Sequence, residues 1–320
     1  MAPPRVPASC EHGHFTNKQG VDIATYVFDV PDPVGLIVFV HGNGTHARHE
    51  FLRSDPPGEV PNEYGDSWGD RLNRAGYAVA MMDNQSHGLS GSASGFRGYV
   101  ERFEDLVDDV VQFGTLMRAR YPKPLPGFML GVSLGGHIVI RAMLRAGEEL
   151  GMRAAGLVAP MLSLERVKRQ NKLVVLVLPL VRRLAPWLPV GSQPQNPLEG
   201  ADVGLRSRLQ DPLHHAPAKI PAVTADEYRI ACDEMMGMMR RVDFPFIVFH
   251  SKNDRLTDPA GSEALYERSK TDEALKEIHI LDDMYHVLQK EPGEEKVFAK
   301  FYRWLQARNP RGADKGAPAE

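Results

Sequence analysis

The sequence predicts an α/β fold: a mostly parallel central sheet with helices on both faces, interrupted late in the chain by an inserted helical cap. Three observations carry this. Short β-branched runs alternate with longer segments whose apolar residues recur at helical spacing. Two of the runs, LIVFV at 36–40 and FIVFH at 246–250, are apolar without alternation, as strands buried on both faces are. Between Met161 and about Val242 the alternation stops, and helical fragments take over with five prolines between Pro179 and Pro197.

In chain order, residues 1–14 combine proline, glycine and polar residues without an apolar run and are expected to be disordered. A secretory signal needs an apolar run of roughly 7–15 residues behind a basic start, and Ala2 excludes N-myristoylation. The first part of the core spans 15–160. Its strands are Val21–Phe28, Gly35–Val40, Ala78–Met82, Phe128–Gly131 and Ala155–Ala159, and its helices Trp68–Ala75, Phe103–Tyr121 and Gly135–Ala146. The cap spans 161–242. Its most apolar stretch, Leu173 to Val190, is broken by Pro179, Pro186 and the pair Arg182–Arg183, whereas a spanning helix needs about 20 apolar residues. Arg166, Lys168, Arg169, Lys172, Arg182 and Arg183 face only Glu165 in charge, so the segment suits peripheral contact with a membrane surface. The bland alternative packs its leucines on other cap helices and leaves its basic residues solvated. The core resumes over 243–308, with strands at Phe246–His250 and Glu277–Leu281 and helices at Gly261–Ser269 and Glu294–Ala307. Residues 309–320 are expected to be a disordered tail.

Composition narrows the function classes. A chain of 320 residues can bury a core without a disulfide or metal staple. With 42% hydrophobic and 25% charged residues it is neither fibrous nor mostly disordered. The 38 Lys and Arg against 41 Asp and Glu leave −3, which removes the whole-chain basic footprint of a nucleic-acid partner. Cys10 and Cys232 cannot build a disulfide framework or a Cys-rich zinc site, and they fit a reducing, cytoplasmic compartment.

The chemistry concentrates at three places. Gly131-Val132-Ser133-Leu134-Gly135-Gly136 follows an apolar strand and opens a helix, which is G-x-S-x-G in the strand-turn-helix context that gives it meaning. A nucleophilic serine must sit on a tight turn, and glycines two before and two after remove side chains that would collide there. The helix start supplies backbone N–H groups to an oxyanion. Earlier, strand LIVFV ends in His41-Gly42-Asn43-Gly44, whose backbone is suited to the second donor. The expected oxyanion hole is therefore the N–H groups of Asn43 and Leu134. His41 is expected to be a structural hydrogen-bonding residue. His46 and His49 read as part of a surface histidine loop, because no acid stands near them at metal-ligand spacing.

The third place lies beyond the cap. Asp254 follows strand FIVFH in a loop, and His286 follows the strand ending at Leu281. The chain order Ser133, Asp254, His286 suits a serine hydroxyl activated by an imidazole that a carboxylate orients. Asp258 is the rival acid, but it stands where an N-cap for the helix begun by Pro259 is expected. Asp282 and Asp283 lie too close in sequence to His286 to reach its far nitrogen easily. His250 and His279 fall within strands, where a packed or surface histidine is the default.

With these residues in hand, the chain resembles the α/β-hydrolases of the monoacylglycerol lipase and lysophospholipase group. The likeness runs from about Val21 to Ala307 and rests on HGNG at 41–44, DNQSHGLSGS at 83–92, GFRGYV at 95–100, GVSLGG at 131–136, APML at 159–162, DPL at 211–213, NDRLTDPAGSEALYERS at 253–269 and YHVLQKEP at 285–292. The resemblance implies the triad Ser133, Asp254 and His286, and an apolar cap helix that contacts membrane and admits acyl chains. Three positions depart from the family pattern. Ser86 replaces the first glycine of D-x-x-G-H-G-x-S, Thr45 replaces a glutamate after H-G-x-G, and Gln289 replaces a histidine three residues after the catalytic one. The last two belong to the glycerol end of the family's pocket. Residues Phe51–Tyr64 read as an insertion near the mouth of the site.

The expected function is hydrolysis of monoacylglycerol- or lysophospholipid-like esters through an acyl-enzyme, on a small lipid-like substrate and without metal or organic cofactor. The alternatives are acyl transfer or another ester class on the same machinery, and a non-catalytic ligand receptor on the same fold. An aspartate-nucleophile hydrolase is disfavoured by Ser133 at the turn.

Overall fold

A computed structural model describes residues 10–53, 64–121, 123, 125–191, 211–215 and 219–309. Strands β1 (Cys10–Thr16), β2 (Asp22–Phe28), β3 (Gly35–Val40), β4 (Tyr77–Met82), β5 (Gly127–Val132), β6 (Met152–Val158), β9 (Phe246–Ser251) and β10 (Lys276–Leu281) form one sheet, in the order β1-β2-β4-β3-β5-β6-β9-β10. The two-residue strands β7 (Pro189–Val190) and β8 (Ile220–Pro221) pair separately. In the main sheet β1 and β2 run antiparallel, and every pairing from β4 to β10 is parallel.

The apolar run of β3 explains its place at the centre. Leu36, Val38 and Val40 join the core on one face, while Ile37 and Phe39 join the core on the other. The first face is covered by α3 (Phe103–Arg120) and α4 (Leu134–Ala146). The second is covered by α1 (Ala47–Phe51), α2 (Trp68–Arg74) and α9 (Glu294–Arg308). Helix α8 (Pro259–Arg268) follows β9, and its Leu265 lies in the first core. This is the α/β-hydrolase fold, and its parallel strands deliver their following loops to one edge.

Between β6 and β9 lie α5 (Glu165–Gln170), α6 (Lys172–Leu184) and α7 (Ala222–Met238). They do not behave as one body. Tyr228, Ala231, Cys232 and Met235 of α7 belong to the main core, whereas Leu178 alone is buried in α6. Helix α6 continues through Pro179, where a break was expected. Its 13 residues rise about 20 Å, short of a bilayer core. Among the described residues no helix is long and apolar enough to cross a membrane.

Two expected ends need correction. Cys10 to His14 were assigned to a disordered segment but belong to β1, which pairs residue for residue with β2. Its mostly exposed pattern carries no apolar alternation, which hid it in the sequence. Asn309 was assigned to the tail but is buried. Its side-chain amide donates to Val34 O at 3.1 Å and to the Tyr77 hydroxyl at 3.2 Å. Residues 1–9, 310–320 and most of the expected insertion at 51–64 lie outside the described residues.

Candidate active site

Ser133 sits between β5 and α4 at φ 53° and ψ −116°, a left-handed backbone that costs a non-glycine residue on the order of 1–3 kcal/mol. Its neighbours explain how the turn closes. A Cβ at Gly131 would stand 2.4 Å from Gly135 O, and one at Gly135 would stand 2.1 Å from Val40 O. Only glycine fits either place. The turn is held by Ser133 N–H donating to Val158 O at 2.9 Å and by Ser133 O accepting from Gly136 and Met161.

Asp254 and His286 come together from the ends of β9 and β10. Asp254 Oδ2 accepts from His286 Nδ1 at 2.7 Å. Oδ1 accepts from the backbone N–H groups of Leu256 and Thr257 at 2.8 and 3.0 Å, and the Thr257 hydroxyl donates to Oδ2 at 2.8 Å. Burial opposes ionisation of this fully buried carboxyl. The His286 charge and the hydrogen bonds from His250 and His286 outweigh it and hold the pKa well below the usual range. Burial likewise opposes charge on His286, but the Asp254 charge and hydrogen bond prevail, and its pKa is raised. The rivals fall into other places. Asp258 caps α8, accepting from Ala260 N–H at 3.2 Å, and the exposed Asp282 pairs with Lys252.

Sequence reasoning missed two supports of this pair. His250 is buried beside Asp254, its Nε2 3.2 Å from Oδ2 and its Nδ1 2.7 Å from Ser262 Oγ. Glu291 accepts from the backbone N–H groups of Tyr285, His286 and Val287 at 2.6, 3.0 and 2.8 Å, pinning the loop that carries the imidazole. Glu291 lies within the quoted YHVLQKEP, but a carboxylate satisfying backbone donors has no sequence signature.

The His41–Gly44 turn lies against the serine. A Cβ at Gly42 would stand 3.3 Å from Ser133 Cβ and 3.8 Å from Oγ. His41 is structural, as expected: Nδ1 donates to Gly42 O at 2.7 Å and Nε2 accepts from Asn84 N–H at 2.8 Å. Burial pulls its pKa down to about 3, so it stays neutral in this tautomer. The Asn43 side chain is anchored from α7, where the Tyr228 hydroxyl donates to Asn43 Oδ1 at 2.8 Å, with His87 Nε2 at 3.3 Å from the same oxygen.

Comparison with known proteins accords with this geometry. Residues 58–293 match the model of the hydrolase family described as serine aminopeptidase, S33. The chain belongs to that family. The S33 member is 27% identical to the monoacylglycerol lipase of Mycolicibacterium smegmatis over 304 residues, covering 92% of this chain and 96% of that one. It is 27% identical to the human monoglyceride lipase over 324 residues, covering 99% and 98%. Among solved structures, the monoacylglycerol lipase of Paleococcus ferrophilus superposes with a TM-score of 0.69 at 23% identity, over 89% of this chain and 99% of that one.

The three departures of this S33 chain now have surroundings. Ser86 adopts φ 63°, so the turn needs a glycine-like backbone although the residue is serine. Gln289 donates to Glu50 Oε2 at 2.6 Å within the protein, and Thr45 is buried. The histidines expected on the surface are not there. His46 and His49 are buried, and Asp211 reaches them from the distant DPL segment. Sequence spacing found no acid because that acid arrives through the fold.

Proposed function

We propose that the chain is a serine carboxylic-ester hydrolase for monoacylglycerol-like substrates, with Ser133, Asp254 and His286 as its triad. The observation that carries this is the buried 2.7 Å contact between Asp254 Oδ2 and His286 Nδ1, set on the same sheet edge as the strained Ser133 turn. Asp254 holds the proton on Nδ1, which leaves Nε2 to accept the proton of the Ser133 hydroxyl. The Ser133 oxygen attacks the ester carbonyl, and the N–H groups of Asn43 and Leu134 stabilise the oxyanion. His286 returns the proton to the departing alcohol. Water, deprotonated by the same imidazole, then releases the fatty acid from Ser133.

The lipid class is supported by the names of the two relatives covering almost the whole chain and by α6. Leu173, Leu176, Val177, Leu180 and Leu184 lie on one face of that helix and are all exposed, with Trp187 beyond it. A contiguous apolar patch of this kind marks an interaction surface, and here it serves as the cap that lies on the lipid. The charge arrangement differs from the sequence expectation. Arg182 pairs with Asp226 and Glu227, and Lys168 with Glu165 and Asp233, so these basic residues tie the insertion together.

The test is a fluorophosphonate label followed by kcat/KM on monoacylglycerols, lysophospholipids, aryl esters and aminoacyl peptides. Labelling at Ser133 with preference for monoacylglycerol is expected. Preference for the peptide would move the chain to the activity in its family's description. Turnover by Ser133→Ala at the native rate would remove the mechanism.

A further inference from the structure

We propose that His46, His49 and Asp211 form a binding site for a divalent transition-metal ion of the Zn2+ type, which clamps the 211–215 segment onto the His41–His49 loop. The inference stands apart from the hydrolase assignment and uses none of its three residues. Two imidazoles and a carboxylate are a donor set that Zn2+ accepts. His46 Nε2 and His49 Nδ1 lie 2.7 and 3.5 Å from Asp211 Oδ2, one potential ligand atom from each residue lies within 4.8 Å of the others, and all three residues are buried. His46 is the extended N-cap of α1, His49 stands three residues on, and their ring centroids lie 5.9 Å apart. The carboxylate comes from far along the chain.

A hydrogen-bonded His46–Asp211 pair explains only part of this. His46 Nε2 lies 2.7 Å from Asp211 Oδ2, which a shared proton accounts for. It does not account for His49, whose buried Nδ1 is aimed at the same oxygen from 3.5 Å and has no hydrogen-bond partner. A buried polar atom left unpaired is costly, and a cation bound to it removes the cost. With Zn–N and Zn–O bonds of about 2.0–2.2 Å, ligands in a tetrahedral site stand roughly 3.3–3.5 Å apart. The His49–Asp211 separation already matches. The His46–Asp211 separation needs to open by less than ~1 Å as the metal replaces the proton. Metal at Nε2 moves the His46 ring proton to Nδ1, which can then no longer accept from His49 N–H at 3.4 Å, and the metal bonds must exceed the cost of parting these two donors.

The surroundings supply the rest of a site. Asp211 Oδ1 accepts from Leu213 N–H at 3.0 Å, which orients the carboxylate as an outer-shell bond does in metal sites. The His214 ring stands 4.8 Å from the His49 ring, so a further imidazole lies near the site. His215 N–H donates to Gly44 O at 2.7 Å, so an ion here would stiffen the turn that lies on Ser133.

The experiment uses the full chain, freed of metal by a chelator and titrated with Zn2+ by equilibrium dialysis, with the thermal midpoint as a second readout. One Zn2+ per chain and a raised midpoint are expected. His49→Gln and Asp211→Asn should bind at least ~10-fold more weakly, while the control His279→Ala, a half-buried histidine on β10, binds normally. His49→Gln is informative because it leaves the His46–Asp211 hydrogen bond in place. No stoichiometric Zn2+ in the native chain, or unchanged affinity in His49→Gln, overturns the proposal. Should the variants fail to fold, an anomalous difference map at the zinc edge from Zn2+-treated native crystals decides. A peak among the three side chains supports the site, and its absence there removes it.

Discussion

Helices α6 and α7 belong to the same inserted stretch, yet they stand in opposite relation to water. Helix α7 turns Tyr228, Ala231, Cys232 and Met235 into the main core and reaches Asn43 through its tyrosine. Helix α6 turns Leu176 and Leu180 outward at 77% and 60% exposure and buries Leu178 alone. Burying a leucine is worth about 1.5–3 kcal/mol, so α6 leaves a large stabilisation uncollected where α7 takes it. The contrast teaches that an insertion need not be one functional unit. One half of this one is core that holds the Asn43 turn, and the other leaves its apolar surface uncovered.

The largest effect should come from neither helix, because the proposed reacting groups lie at the ends of the sheet's strands. Ser133→Ala should lower kcat by roughly 10⁴–10⁶ and abolish fluorophosphonate labelling, with a thermal midpoint no lower than native. Removing the hydroxyl leaves the Cβ and the strained backbone in place, so a stability gain beyond ~1 kcal/mol would mean that the strain resides in the hydroxyl.

Asp254→Asn should cost on the order of 10⁴ in kcat by presenting the wrong donor to His286. Asp258→Asn should change kcat far less and cost about 1 kcal/mol of stability as a weakened helix cap. The acid limb of kcat/KM follows His286. The neutral imidazole is the base, so activity rises with pH, and the raised pKa places that rise above the ordinary ~6.5. A rise centred below 6.5 would contradict the Asp254–His286 pairing.

The two helices are separated by a matched pair of variants. Tyr228→Phe removes the hydroxyl that holds Asn43. It should lower kcat for short soluble esters by about 10-fold, less than loss of a full oxyanion donor, with KM little changed. The double variant Leu176→Ser with Leu180→Ser should do the reverse. It should leave soluble-ester turnover intact and weaken turnover of vesicle-borne monoacylglycerol by ~10-fold or more. Losses on both substrates in both variants would erase the distinction between the helices. Charge reversal at Arg182 is a poor probe of lipid contact, since it breaks the pairing with Asp226 and Glu227 on α7.

Much of this was legible because its causes are local. The β3 run LIVFV announces a strand covered on both faces, and glycines at 131 and 135 announce a turn that tolerates no Cβ. Asp254 and His286 follow their strands in readable order. What stayed hidden depends on long-range geometry. The edge strand β1 has no apolar pattern, and the acid beside His46 and His49 lies 165 residues from the first of them. Whether a leucine-rich helix faces core or solvent is decided by its neighbours, so the sequence left open whether the leucines of α6 pack on other cap helices or stay uncovered.

The smallest effect concerns Ser86, in a loop whose carbonyl is reached from beneath α7. Gly98 N–H donates to Ser86 O at 2.9 Å, and the Thr224 hydroxyl of α7 donates to Gly98 O at 3.0 Å. Ser86 combines a left-handed φ of 63° with a buried hydroxyl that has no hydrogen-bond partner. Ser86→Gly relieves both, against the greater chain entropy of glycine in the unfolded state. The net should be a stabilisation of about 1 kcal/mol, seen as a rise of a few degrees in thermal midpoint with kcat unchanged. Ser86→Ala separates the two causes, because it removes the hydroxyl but keeps a Cβ at positive φ. If the alanine variant gains as much as the glycine variant, the orphan hydroxyl is the whole cost. If the glycine variant loses stability, the loop under α7 is held by its serine, and the family's glycine at this position is no guide to this chain.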